Sequence, residues 1–163
     1  MLGDIIQLRS ILGLRSPVHT LCRLLNPLGA DYGIDGVFHP PYGPMHQRTG
    51  VLLGVQHGLT VKGDGGEAEL KPDSESDLQW ILNGETYSES WPRLLTQRVV
   101  RDEDLNPQEL LRLWRGEIEH EYGEGAVLNT LAAVMKLMGR ASAPADAVEM
   151  ARGIWGSRDR KRY

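Results

Sequence analysis

Strand, helix and strand follow one another within about 30 residues in the first half of the chain, and no other feature limits its fold as tightly. Residues 34–38 end in Val37 and Phe38 and are closed by His39-Pro40-Pro41, because prolines remove ladder donors. Residues 44–54 suit a helix, with Met45, Thr49, Leu52 and Leu53 as its inner positions. Residues 58–62 then supply Leu59 and Val61 for a second buried strand. Two strands joined this way run parallel, with a right-handed crossover. The expected class is therefore α/β, a mostly parallel sheet with flanking helices.

The flanking segments read as helices. Ile5, Ile6, Leu8, Ile11 and Leu12 recur at helical spacing, and Gly13 is placed to stop that helix. Ser16 can cap the next one and Pro17 suits its first position. Val18, Leu21, Cys22, Leu24 and Leu25 give it an apolar face, which Asn26-Pro27 ends. The Asn83-Gly84 turn leads into a further strand over residues 85–90. Pro107 opens a helix with Leu110, Leu111, Leu113 and Trp114 inside. Two more helices run from about Glu124 to Met138 and from Pro144 to Trp155. Residues 156–163 read as a flexible basic tail. No linker or repeat interrupts the 163 residues, so residues 1–163 are expected to form a single α/β domain around one core.

Composition narrows the function classes. No apolar run approaches the roughly 18 residues of a membrane span, which excludes an integral helical membrane protein. The single cysteine, Cys22, excludes an internal disulfide framework and fits a reducing compartment. Met1-Leu2-Gly3-Asp4 has no basic segment ahead of its apolar residues, so a secretory signal is not expected and a cytoplasmic location is. The net charge of -4 argues against a chain basic throughout, as many nucleic-acid-binding domains are, while leaving room for a local basic face.

Ligands in open α/β sheets bind beyond the carboxyl ends of the strands. Here those ends are His39-Pro40-Pro41-Tyr42 and the loop from Lys62 to Glu69, which should share one rim. Asp64, Glu67 and Glu69 are hard oxygen donors of the kind Mg²⁺ prefers beside a phosphate, and Lys62 suits the phosphate itself. The same residues also suit a solvated acidic turn, and the spacing matches neither a Walker loop nor a dinucleotide fingerprint. A second candidate is cationic. His19 and Arg23 lie four apart on one helix face, with Arg15 just ahead, and arginine grips carboxylate or phosphate in bidentate fashion. Ordinary surface residues have that spacing too. Cys22 falls on the apolar face and reads as core. His39, at a strand end, joins the candidate site. Trp80, Trp91, Trp114 and Trp155 are spread along the chain as core or groove anchors. In the tail, Arg158, Arg160, Lys161 and Arg162 outweigh Asp159, a net of +3 that suits phosphates or plain solvation.

In order, these segments carry a family resemblance. Leu14-Arg15-Ser16-Pro17-Val18-His19-Thr20-Leu21-Cys22-Arg23-Leu24-Leu25-Asn26-Pro27 resembles the "R-T-x-x-N-x-x-G-P-L-x-N-P" segment of glycosyl transferase family 3, the anthranilate phosphoribosyltransferase-like family. Gly36-Val37-Phe38-His39-Pro40 looks like its following strand, "G-V-y-x-P". Val61-Lys62-Gly63-Asp64-Gly65-Gly66-Glu67 looks like its metal-site loop, "V-H-G-x-D-G-L-D-E". Asn129-Thr130-Leu131-Ala132-Ala133 is similar to its late "N-A-A-x-x-L" helix. The similarity runs from about residue 10 to residue 155, and the spellings are most like a nucleic-acid-binding subgroup.

The resemblance implies the C-terminal α/β domain of the nucleoside phosphorylase and phosphoribosyltransferase type, without the N-terminal helical domain. By it, Arg15 matches an arginine that holds the acceptor, and Asp64, Glu67 and Glu69 fall in the Mg²⁺–pyrophosphate loop. The adjacent Asp-Glu pair of that loop is replaced by Ala68-Glu69, and the early "G-T-G-G-D" loop that binds phosphoribosyl pyrophosphate is absent. Three readings follow. The first is salt-sensitive nucleic-acid binding through Arg9, Arg15, Arg23, Arg158, Arg160, Lys161 and Arg162, with no transferase activity in this chain. Against it, Asp64 to Asp77 holds six acids and one lysine, a net of -5. The second is a Mg²⁺-dependent phosphoribosyl or glycosyl transferase when full length, binding phosphoribosyl pyrophosphate only with the other half. The third is a scaffold or homodimerisation remnant.

Overall fold

The computed structural model describes residues 2–13, 17–99 and 106–163. A four-stranded sheet, ordered β1-β2-β3-β4, forms its centre: β1 (Tyr32–Val37), β2 (His57–Lys62), β3 (Ser76–Leu82) and β4 (Glu85–Trp91). The α/β class and the crossover from β1 through helix α3 (Tyr42–Leu52) to β2 are as expected. Only β1 and β2 are parallel, however; β2–β3 and β3–β4 pair antiparallel, so the sheet is mixed rather than mostly parallel. The two-residue turn between β3 and β4 accounts for the second of these antiparallel pairings. Asn83 and Gly84 both take positive φ, 53° and 78°, the twist that closes a tight hairpin.

One sheet face builds the core. Leu59, Val61, Leu78, Trp80 and Trp91 pack there against Leu128, Ala132 and Leu137 of α5 (Glu121–Leu137). Small residues let α6 (Pro144–Gly156) lie close on α5: Ala132 and Ala133 on one helix and Ala147 and Ala151 on the other are fully buried. At its centre Asn129, also fully buried, accepts from Trp91 Nε1 at 2.7 Å and donates to the Lys71 carbonyl at 3.0 Å. Next to it, the Thr130 hydroxyl accepts from Leu70 N–H at 3.0 Å. Two neighbouring polar side chains thus hold the extended segment after the glycine-rich loop against the helix. Lys136 pairs with Glu89 at 2.7 Å beside the rings of Trp80, Tyr87 and Trp91. Burial, reinforced by Glu89, pushes the Tyr87 hydroxyl up to about 12.

α3 covers the other face with a surface that differs from expectation. Met45, Leu52 and Leu53 are exposed, whereas Gly43, His46, Gln47 and Gly50 are buried. The helix turns its glycines inward because the sheet leaves no room for more. A Cβ on Gly50 would lie 2.7 Å from Ile81 Cδ1, and one on Gly43 would lie 3.2 Å from Gln79 Cγ. Gln47 then reaches the sheet and donates to the carbonyls of Trp80 at 2.7 Å and Tyr87 at 2.8 Å.

The terminal segments also depart from expectation. In α1 (Leu2–Leu12), which Gly13 ends with φ +65°, Ile11 is 78% exposed. α2 (Pro17–Leu21) continues as a 3-10 turn over Cys22–Leu24, leaving Leu21 and Leu25 exposed and Cys22 only partly buried. α4 (Pro107–Arg115) starts at an Asn106 cap and stops at left-handed Gly116, as its sequence suggests, but Leu110 is exposed. The tail is tied down. Arg158 donates to the carbonyls of Leu113, Trp114 and Trp155 and lies 3.6 Å from the centre of the Trp155 ring. Tyr163 packs edge-on against Trp114. No helix among the described residues is long and apolar enough to cross a membrane.

Candidate functional site

The parallel register sets Val37 beside Lys62, so the carboxyl ends of β1 and β2 share one rim. Gly63 N–H continues the ladder by donating to the Val37 carbonyl at 2.9 Å. The chain then turns back on itself. The Glu67 carboxylate accepts from the N–H groups of Asp64 at 2.8 Å and Gly65 at 2.7 Å. Burial opposes the charge of Glu67, but hydrogen bonds from the backbone of Glu67, Gly65 and Asp64 outweigh it and hold its carboxyl below the usual range. Gly36 and Gly63 admit this turn, since a Cβ on either would run into the Glu67 backbone carbonyl. Arg23 reaches across from the 3-10 turn and donates to the carbonyls of Gly36 and Gly66, clamping the loop to β1.

Two titratable groups feel the Arg23 charge, one half-buried and one buried. Asp35 is register partner to Thr60, and burial raises its carboxyl to about 6 although the Arg23 charge pulls it down. His46 is buried with neither ring nitrogen hydrogen-bonded to the described residues, and burial followed by the Arg23 charge lowers its pKa. The folded state therefore keeps the Asp35 proton between about pH 4 and pH 6, where the unfolded chain has released it. Stability from this group falls as pH rises through that window and stays low above it. Asp35→Asn removes the penalty. It should raise stability at pH 7.5 by roughly 2 kcal/mol more than at pH 4. Urea unfolding at the two pH values checks this, and an equal gain at both contradicts it.

The expected metal ligands are not arranged as such. Asp64 forms ion pairs with Lys71 at 2.7 Å and Lys62 at 3.2 Å. Glu67 is engaged by its own loop, and Glu69 has an interaction of its own. Among the described residues no group of three histidine, cysteine or carboxylate side chains is placed to hold a metal ion.

What the rim does form is a cleft of about 420 Å³, whose lining includes Val37, Pro40, Thr60, Lys62, Lys71, Glu75, Asp77 and Gln79. Lys71 separates it from a smaller cleft of about 230 Å³ that contains Asp73 and Arg98. The His39 ring lies edge-on between those of Phe38, 4.6 Å away, and Tyr42, 5.9 Å away, and none of the three lines the cleft. Sequence reasoning missed Lys71, whose place is set by the Asn129 and Thr130 anchors and by no local motif.

The expected cationic face is divided. Arg15 and the His19 side chain lie outside the described residues. Arg23 and Arg158 are turned inward onto backbone carbonyls. Arg9 is exposed on α1, far along the chain from the remaining cations. Arg160, Lys161 and Arg162 are exposed on the folded-back tail, where Arg115 also donates to the Tyr163 carbonyl at 2.9 Å.

No family model matches the chain. Among curated proteins, anthranilate phosphoribosyltransferase of Burkholderia ambifaria (strain MC40-6) is 28% identical over 155 residues, covering 91% of this chain and 45% of the relative. The Chromobacterium violaceum protein of the same name is 36% identical over 78 residues, covering 48% of this chain and 23% of its own length. The crystal structure of the Thermus thermophilus enzyme superposes with a TM-score of 0.70 at 26% identity, covering 93% of this chain and 46% of that one. The chain is homologous to the C-terminal part of anthranilate phosphoribosyltransferase. It spans less than half the length of these full-length relatives. The Saccharomyces cerevisiae anthranilate phosphoribosyltransferase in complex with PRPP and Mg shares the fold, with a TM-score of 0.64 at 18% identity. These relatives are transferases, and the nucleic-acid-binding subgroup gains no support from them.

Proposed function

We propose that the chain is an anion-binding module of anthranilate phosphoribosyltransferase type that does not turn over phosphoribosyl pyrophosphate by itself. The observation that carries this reading is the placement of Lys62 and Lys71 around one carboxylate, Asp64, at the strand-end cleft. Two ammonium groups and one carboxylate give this cluster a charge of +1, with Glu75 and Asp77 elsewhere in the cleft lining. Each ammonium has three donors, so a phosphate can bind without breaking the pairs. Phosphoribosyl transfer needs donors and metal preorganised around the leaving pyrophosphate. Here Asp64 is committed to lysines and Glu67 to its own loop. Mg²⁺-dependent transfer belongs, on this reading, only to a form in which a donor-binding half completes the site. Anthranilate fluorescence with phosphoribosyl pyrophosphate and Mg²⁺ is the test. The purified chain should consume no anthranilate above the protein-free blank, and measurable consumption would overturn the proposal.

A second reading rests on the tail. Arg115 and Arg162 lie beside Tyr163, which is 59% exposed, Arg160 and Lys161 are exposed on the same tail, and cations beside an exposed ring suit single-stranded nucleic acid. Binding of labelled single-stranded DNA should fall with salt with a log–log slope of about -2, as expected for three phosphate contacts. Arg160→Ala with Arg162→Ala should flatten it. A slope near zero, or one unchanged in the double variant, excludes this face.

A further inference from the structure

We propose that the strand-end cleft takes a small zwitterion, a phosphate monoester that carries its own ammonium group, with the phosphate at Lys62 and Lys71 and the ammonium at Asp77. The inference rests on the anion-binding reading above and adds the other end of the ligand. All three residues line the cleft. The cleft lies where the sheet forks. The β2–β3 ladder stops at Thr60 and Gln79, although β2 runs on to Lys62 and β3 begins at Ser76. Thr60 and Gln79 are register partners and both line the cleft. Side chains alternate along a strand, so Lys62 and Asp77, each two residues further out, share that face of the sheet.

Opposite charges at opposed positions of two strands ordinarily pair. These do not. Lys62 pairs with Asp64, and the exposed Asp77 side chain makes no hydrogen bond or ion pair with the described residues. Glu75 accepts from the Ser90 hydroxyl at 2.7 Å but meets no cation among the described residues. Two lysines against Asp64, Glu75 and Asp77 leave the site a net charge of -1. A bare phosphate is therefore drawn to one end of the cleft and repelled from the other. An ammonium on the same molecule turns that repulsion into attraction. Opposed residues of an intact ladder lie about 5 Å apart, and the fork widens this gap, so a short aminoalkyl chain can bridge it. The volume, about 420 Å³, lies within the range of small-molecule sites.

Calorimetric titration of the chain at low salt with O-phosphoethanolamine, ethyl phosphate and ethylamine tests this. Phosphoethanolamine should bind about fivefold more tightly than ethyl phosphate, the worth of one ion pair at a partly exposed site. Asp77→Asn should erase that advantage without weakening ethyl phosphate. Asp77 is exposed and asparagine keeps its shape, so the fold survives. Equal binding of the two phosphates, or an advantage that persists in Asp77→Asn, overturns the ammonium seat while the anion site stands. Ethylamine binding as tightly as phosphoethanolamine overturns the shared site. Failure of both phosphates to bind sinks the anion reading and this one with it. Phosphatidylethanolamine vesicles, which offer the same groups as a diester, should not displace phosphoethanolamine. Displacement by them would reassign the cleft to a lipid surface and overturn the proposal.

Discussion

Replacing Asn129 with leucine is expected to cost about 3–5 kcal/mol of folding stability, because each buried polar group left without a partner costs about 1–3 kcal/mol. Two groups are orphaned at once, the Trp91 Nε1–H and the Lys71 carbonyl. The site is fully buried, so water does not replace the amide. Leucine adds apolar contact, but a helix packed this closely has little space for it. Urea unfolding measures the loss. Adding Trp91→Phe should then cost less in the leucine background than in the native protein, since it removes a donor already orphaned. A loss under about 1 kcal/mol for Asn129→Leu would show that Asn129 does not join the helix to the sheet and to the segment bearing Lys71.

Gly36→Ala is expected to act on the site and not only on stability. Its new methyl group would run into the Glu67 carbonyl, which is backbone and cannot rotate away. Overpacking of this kind costs about 1–3 kcal/mol, and more where only backbone can yield. The yielding part is the 63–67 loop, so the hydrogen bonds from Asp64 and Gly65 to the Glu67 carboxylate should loosen. Hydrogen exchange of the Asp64 and Gly65 amides should accelerate well beyond the global change. Gly33→Ala on the same strand is the control. A Cβ there meets nothing within 4 Å, and its amides should exchange as in the native protein. Unchanged loop protection in Gly36→Ala would refute the clamp.

The crossover was legible because it rests on local rules. Prolines closed β1, alternation marked β2, and a right-handed connection leaves one arrangement for two such strands. β3 went unseen although a signal was present. An Asn-Gly turn of this kind joins two strands, so the strand after Asn83-Gly84 required one before it over 76–82. The acidic, serine-rich run from Asp73 to Asp77 hid its start, and its pairing with β2 depends on residues distant in sequence. The inner face of α3 was misplaced for a related reason. Apolar periodicity assumes that large residues point inward, whereas here the close approach of Ile81 and Gln79 selects glycine, and Gln47 is drawn in by two sheet carbonyls.

The site was legible in place but not in chemistry. The rim, the glycine-rich loop and Lys62 lie at the strand ends, whereas His39 does not line the cleft there. Side-chain direction was not readable. Arg23 and Arg158 have the spacing of surface cations, yet each finds unpaired carbonyls within reach and turns toward them. Asp64 has the spacing of a metal ligand, but Lys71, brought in by Asn129 and Thr130 from α5, neutralises it.

On the proposed reading, Lys62 and Lys71 hold an anion at the carboxyl ends of β1 and β2. Titration of ribose 5-phosphate into the native protein and into Lys71→Met tests it most directly, because methionine keeps much of the apolar stem and removes only the charge. The Lys71 carbonyl bond to Asn129 is backbone and is retained. Saturable binding by the native chain is expected, with a loss of about tenfold or more in Lys71→Met, the worth of one charge-assisted hydrogen bond. No binding by the native chain, or equal binding by both proteins, would contradict it.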